Sequence, residues 1–254
     1  MLGRWKRLVC CLPCFLAIGC ASLNPALQNP QVEVTGLSLD WASPETSSYV
    51  VELKIRNMNP MTLLFSRLDI ALTAGAKTSR QSQTTRLPMV PAYGERTLSA
   101  ELRLPAETSA ATGPQEFTVS GQLTSASQWQ QAPLPFKQRF NRLAPKLPVV
   151  ALVKVRTLKT RERQEVLLSI GNPNDFPILL RRMRAEISQA GKARSLKPAV
   201  SELTVAAGQT ASLSLAVDGP ALSPKLKGST VVSGEMEFAS SGGRLLVPLP
   251  RSPP

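Results

Sequence analysis

Val166-Leu167-Leu168-Ser169-Ile170-Gly171-Asn172-Pro173-Asn174 is the stretch that decides the fold. Val166, Leu168 and Ile170 are apolar at every second position, the period of a strand with one buried face. Asn-Pro-Asn then ends the strand. Proline presets φ and cannot donate to a ladder, while asparagine tolerates the left-handed region and bonds backbone two residues on. The role read here is structural rather than one of binding. The same stretch occurs 115 residues earlier. Val51, Leu53 and Ile55 lead into Asn57-Met58-Asn59-Pro60, and Leu63-Leu64-Phe65-Ser66-Arg67-Leu68 follows as Ile178-Leu179-Leu180-Arg181-Arg182-Met183 does later.

A second block repeats at a shift of 113. Val119-Ser120-Gly121 meets Val232-Ser233-Gly234, and Leu134-Pro135-Phe136 meets Val247-Pro248-Leu249. Between the blocks, Leu98, Ala100, Leu102 and Leu104 alternate as Ala211, Leu213, Leu215 and Val217 do. Near-constant spacing over three blocks implies two copies of one domain, not a solenoid of small units. Turn residues punctuate the runs at Ser43-Pro44, Asn59-Pro60, Ala92-Tyr93-Gly94, Gly113-Pro114, Ala207-Gly208 and Ser241-Gly242-Gly243. No long amphipathic helical pattern appears. The expected fold is all-β: two tandem immunoglobulin- or fibronectin-like sandwiches of about seven strands each.

The chain opens with a different kind of segment. Arg4, Lys6 and Arg7 precede an apolar run, Leu8 to Ile18, too short to span a bilayer. Ala17-Ile18-Gly19-Cys20 closes it. This is a secretory signal, and its end resembles the lipobox of bacterial lipoproteins. That resemblance implies cleavage before Cys20 and acylation of its sulfur and amine. Ala17 stands where the family prefers Leu, and Ala17 and Gly19 also suit ordinary signal cleavage. All four cysteines, Cys10, Cys11, Cys14 and Cys20, lie in or at the end of this segment. The remaining chain has no disulfide to rely on, so its stability must come from cores. The expected organisation is a signal peptide at 1–19, a lipidated tether at 20–30, a first sandwich at 31–141, a linker at 142–148 and a second sandwich at 149–254. Pro145 and Pro148 stiffen the linker.

A strand, Asn-Pro-Asn, an apolar stretch, an alternating strand and then Gly together resemble the LEA14-like family. This is the LEA type 2, or water stress and hypersensitive response (WHy), domain. The carriers are Val166–Asn174 through Gly191, with Gly208–Val217 and Val232-Ser233-Gly234, and Val51 through Gly75 in the first copy. Met58 replaces the middle proline there. The resemblance covers nearly all of both copies. It implies an immunoglobulin-like sandwich, an association with desiccation and stress protection, bacterial lipoprotein members and no catalytic residues to carry over.

The residues themselves offer little chemistry. The chain has no histidine, which removes Ser-His-Asp and Cys-His systems and the commonest zinc ligand. No Ser-x-x-Lys or glycine-rich phosphate loop is present. Glu235 and Glu237 share a strand face and read as solvated positions before they read as a glycosidase-like pair. Asp175 has no partner for an oxygen-ligand metal site. The expectation is no enzyme, no metal and no cofactor.

Charge is the remaining signal. The full chain carries 30 Lys+Arg against 17 Asp+Glu, and three of the cations sit in the signal. The excess falls mainly after residue 147, in Lys154–Arg163, Arg181-Arg182-Met183-Arg184 and Lys192–Lys197. Arg181, Arg182 and Arg184 are the candidate contacts for an anionic surface, with a merely solvated face as the plainer alternative. Aromatics make up only 5%, which argues against a single-strand nucleic-acid platform. The expected partners are a membrane, through a lipid on Cys20, and an anionic lipid or glycan, with no nucleic acid. Ala21 after Cys20, by resemblance to Gram-negative lipoprotein sorting, implies the periplasmic face of the outer membrane. The function expected is a non-catalytic, protective or interaction role in envelope or desiccation stress. The alternative is a periplasmic module that binds lipid or anionic glycan.

Overall fold

The computed structural model describes residues 27–85, 87–106, 114–130, 132–158, 163–189, 192–199, 202–217 and 230–250. The signal and Cys20 lie outside these residues, as does part of the Lys154–Arg163 cluster. The fold is all-β. The first half holds β1 (Gln31–Ala42), β2 (Thr46–Arg56), β3 (Phe65–Ala74), β4 (Lys77–Gln83), β5 (Glu95–Pro105), β6 (Pro114–Ser125) and β7 (Leu134–Leu143). The second holds β8 (Val149–Leu158), β9 (Arg163–Gly171), β10 (Ile178–Gln189), β11 (Lys192–Pro198), β12 (Leu203–Val205), β13 (Thr210–Val217), β14 (Val231–Ser240) and β15 (Gly243–Pro248).

In the first half β5-β2-β1 form one layer and β4-β3-β6-β7 the other. The period-two residues face each other across them. Val51, Leu53 and Ile55 on β2 and Leu68, Ile70 and Leu72 on β3 are buried in one cluster with Phe117 and Val119 of β6. Each such side chain, fully removed from water, contributes ~1.5–3 kcal/mol. In the second half β8-β9-β13 oppose β10-β14-β15. β11 passes from one layer to the other, pairing β10 over Lys192–Leu196 and β13 over Leu196–Pro198. Val166, Leu168, Ile170, Leu213, Leu215, Met236 and Phe238 fill the space between.

The two clusters meet at the end of β1. Trp41 and Ala42 pair in parallel with Arg244 and Leu245 of β15, which makes one continuous sheet through both halves. Arg244 closes on Asp40 at 2.8 Å. Ala42 belongs to the second cluster, and Leu39 packs against both. β7 runs on to Leu143, and Leu147 packs against the second cluster, so the short span between halves is held at both ends.

The Val-Ser-Gly block has a steric reason. A Cβ on Gly234 would sit 2.0 Å from the Arg184 carbonyl oxygen, and φ there is +143°. A Cβ on Gly121 would sit 2.1 Å from the Asp69 carbonyl oxygen. Both are backbone atoms of the neighbouring strand, which cannot move without opening the ladder. Gly234→Ala should therefore cost ~2 kcal/mol or more in urea unfolding, from overpacking and backbone strain together. Gly36→Ala, where the Cβ meets only the flexible Glu52 carboxylate at 3.1 Å, should cost clearly less.

Candidate functional site

The Asn-x-Asn motif builds the same hydrogen-bonded clasp in both halves. Asn57 and Asn172 are buried at the ends of β2 and β9. Asn57 Nδ2 donates to the carbonyl oxygens of Met61 (2.7 Å), Val90 (3.4 Å) and Pro91 (3.1 Å). Asn172 Nδ2 donates to those of Phe176 (2.7 Å), Val205 (3.1 Å) and Ala206 (3.1 Å). Each acceptor lies 115 residues from its counterpart. The other end of each carboxamide is used as well. Asn57 Oδ1 accepts from the Asn59 backbone N–H (3.1 Å) and from Asn59 Nδ2 (3.3 Å), and Asn172 Oδ1 does the same for Asn174 at 3.1 and 3.0 Å.

The second asparagine of each pair ties down the incoming chain. Asn59 Oδ1 accepts from Gln28 N–H, and Asn59 Nδ2 donates to the Gln28 carbonyl, both at 2.7 Å. Asn174 makes the matching pair of bonds to Lys146 at 2.7 and 2.8 Å. The first fixes the chain entering β1 and the second the chain entering β8. Reading the motif as a strand end captured the bond two residues on, but no asparagine of either pair has positive φ. The reach to residues 33 and 34 positions away leaves no local signal in the sequence.

The copies differ at one strained residue. Tyr93, at φ +52°, is the one non-glycine residue with positive φ among those described, and its counterpart Gly208 has φ +65°. Their N–H groups donate to the Asn59 and Asn174 carbonyls respectively, both at 3.0 Å. The left-handed conformation puts Cβ close to a carbonyl, a cost glycine avoids.

Arg181, Arg182 and Arg184 are all exposed on β10. A bulge between Leu180 and Arg182 sets Arg181 out of register. Arg182 then stands opposite Glu237 of β14, and Arg184 opposite Glu235. The face is therefore of mixed sign, and the two glutamates on one face are cross-strand complements to arginine. Opposite charges so placed favour the pairing modestly. On β11, Lys192, Arg194 and Lys197 are exposed too.

Among the described residues no group of three or more His, Cys, Asp or Glu side chains is gathered. Asp175 is exposed. The carboxylates with displaced pKa values all sit in local hydrogen-bonded pairs. Arg67 holds Asp69 below its usual range, with Ser82 and Gln122 helping. Ser48, then Arg103, lowers Glu101, and Arg156, then Ser214, lowers Glu165. The Asp40 carboxylate raises Arg244.

The chain matches no family model and no curated protein. Solved structures to which it is similar include red sea bream transglutaminase, at 16% identity over 84% of this chain and 30% of that one, with a TM-score of 0.28. The YadV chaperone has 12% identity over 87% of this chain and 98% of its own, at 0.23. The CupB2 chaperone of Pseudomonas aeruginosa has 13% identity over 81% and 93%, at 0.21. Superpositions this loose say nothing about what the chain does.

Asn172→Ala removes a donor from the Phe176, Val205 and Ala206 carbonyls and the acceptor of the buried Asn174 N–H, while Ala206 keeps the Gln209 N–H. It should cost ~1–3 kcal/mol in urea unfolding, the cost of leaving a buried polar group unsatisfied. Asn172→Asp should cost more, because it turns a carboxylate oxygen toward three carbonyl oxygens. Tyr93→Gly should raise stability by up to ~1 kcal/mol, strain relief set against the freer unfolded chain.

The depressed carboxylates give a pH dependence of fixed sign. A folded-state pKa below the unfolded one means the stability is present above the unfolded value and lost as pH falls through the folded one. For Glu165 the ordinary value is 4.5. Stability from this group should be flat at neutral pH and fall on acidification below that value. Glu165→Gln should flatten the acid limb of a stability–pH series.

Proposed function

We propose that this chain is a non-catalytic cell-envelope lipoprotein of the LEA type 2 kind, acylated at Cys20, with a protective or interaction role in envelope or desiccation stress. The observation that supports the reading is the doubled clasp. The Asn-x-Asn motif that carries the family resemblance sits in the same hydrogen-bonded environment in both halves, and its polar atoms are spent on backbone. Such a site fixes a loop end and leaves no group poised to react. The signal segment and Ala21 favour the periplasmic face of the outer membrane.

A second reading, a lipid or anionic-glycan binder, has one observation in its favour. A cleft of about 260 Å³ lies between the halves, lined by Leu37, Leu39, Tyr49, Phe117, Leu143 and Pro145, with Arg142 also on its wall. An apolar cleft with a single cation suits an amphipathic anion. The spaces between the sheets themselves are packed with fully buried side chains, so such a ligand would bind between the halves.

Expressed in a Gram-negative host, the protein should partition with membranes, and Cys20→Ala should release the processed form into the soluble fraction. Several acyl chains hold far more strongly than one. Mass spectrometry that finds Cys20 unmodified would overturn the lipoprotein reading.

A further inference from the structure

Eight large apolar side chains are exposed among the described residues, and five of them gather around the first clasp: Leu27, Met61, Leu64, Met89 and Tyr93. The bonding places them together. Asn57 holds the Met61 carbonyl, Leu63 and Val90 exchange backbone bonds at 2.9 Å in each direction, and Tyr93 donates to Asn59. Leu64 and Met89 flank that Leu63–Val90 bridge, and Leu27 precedes the Gln28 that Asn59 clamps. Tyr93 is 69% exposed and Met89 60%.

The second clasp, built on the same hydrogen bonds, has only Leu143 and Val149 exposed beside it. At the matching positions Phe176 and Leu179 are half-buried, Thr204 replaces Met89 and Gly208 replaces Tyr93. The apolar rim is therefore not a by-product of the clasp. Tyr93 moreover sits at a φ that its counterpart fills with glycine, and its side chain projects into solvent there. Tyrosine with methionine and leucine is a composition suited to the boundary between lipid headgroups and acyl chains.

We propose that this rim docks onto the lipid bilayer that carries the chain, so that the first sandwich stands on the membrane by its clasp end. The occupant follows from where the described chain begins. Leu27 is in the rim itself, and only residues 21–26 separate it from Cys20. Fully extended, that interval spans at most ~25 Å, less than a sandwich is long with its loops. The clasp on Gln28 points this short tether from the rim. Arg56 and Arg96 are exposed near the same ends of β2 and β5; Glu95, opposite Arg56, is ion-paired with Lys54, so the group keeps a net positive charge to complement anionic headgroups beside it. The proposal rests on the lipoprotein reading, and its test is independent of acylation.

The chain from residue 20 onward, with Cys20→Ser, is attached by an N-terminal hexahistidine tag to vesicles of phosphatidylethanolamine and phosphatidylglycerol containing a nickel-chelating lipid. No other thiol exists after Cys20, so Met89→Cys and Thr204→Cys each accept one environment-sensitive nitrobenzoxadiazole label. The Met89→Cys label should brighten at least twofold and shift to shorter wavelength on tethering, while the Thr204→Cys label stays unchanged. Adding Met61→Ser, Leu64→Ser and Tyr93→Gly should remove most of the Met89→Cys response, with far-ultraviolet circular dichroism confirming that the chain remains folded. A water-like Met89→Cys label on tethered protein, or equal responses from both labels, would overturn the proposal. An unmodified Cys20 in cells would instead overturn the lipoprotein reading on which it rests.

Discussion

Each half of this chain depends on one buried carboxamide. An asparagine at the end of β2 or β9 has both donors and its acceptor committed, chiefly to backbone groups of its own turn and of a distant one. A buried carbonyl without a donor costs about as much as the whole of many side-chain contacts contributes. The asparagine gives several carbonyls a donor at once, some of them their second, from the turn that follows its own strand and from the turn that precedes β5 or β13. Its neighbour two residues on then clamps the chain entering that half. One side-chain pair thus joins a strand end, a distant turn and the tether or linker. No aspartate, serine or threonine has the same combination of two donors and an acceptor.

The elements visible in the sequence were those with local causes. Period-two burial along Val51–Ile55 and Val166–Ile170 is a property of pleated strands, and it marks β2 and β9 directly. The Val-Ser-Gly blocks marked the repeat, but the constraint behind their glycines, contact with the next strand's carbonyl, only the structure reveals. Long-range pairings left no such trace. The parallel contact of Trp41 and Ala42 with β15 involves two residue pairs, and β11 changes layers at Leu196, two residues before Pro198, with no glycine at the bend. The bulge that displaces Arg181 is equally silent, because the register of β10 is set by Phe238 and Met236 across from Leu180 and Met183.

The copies share a framework and diverge at its surface. Clasp, bridge and turn superimpose in their hydrogen bonds, yet the first copy clothes them with Met61, Met89 and Tyr93 and the second with Phe176, Thr204 and Gly208. The second instead carries exposed cations on β10 and β11, tempered on β10 by Glu235 and Glu237. A repeat that keeps its skeleton while its two loop ends part in chemistry is suited to facing two surroundings. The junction of β1 with β15, closed by Asp40 and Arg244, fixes which way each end points relative to the other.

The central claim is that the clasp carboxamides are structural and closed to solvent. Hydrogen exchange of the asparagine side-chain amides, followed by nuclear magnetic resonance, tests it directly. Asn57 and Asn172 Nδ2 protons should exchange orders of magnitude more slowly than those of an exposed asparagine such as Asn29, and they should be lost only with global unfolding. Exchange of both at the rate of Asn29 in the folded protein would contradict the account, because a clasp so easily opened could not be what fixes the turns of each half.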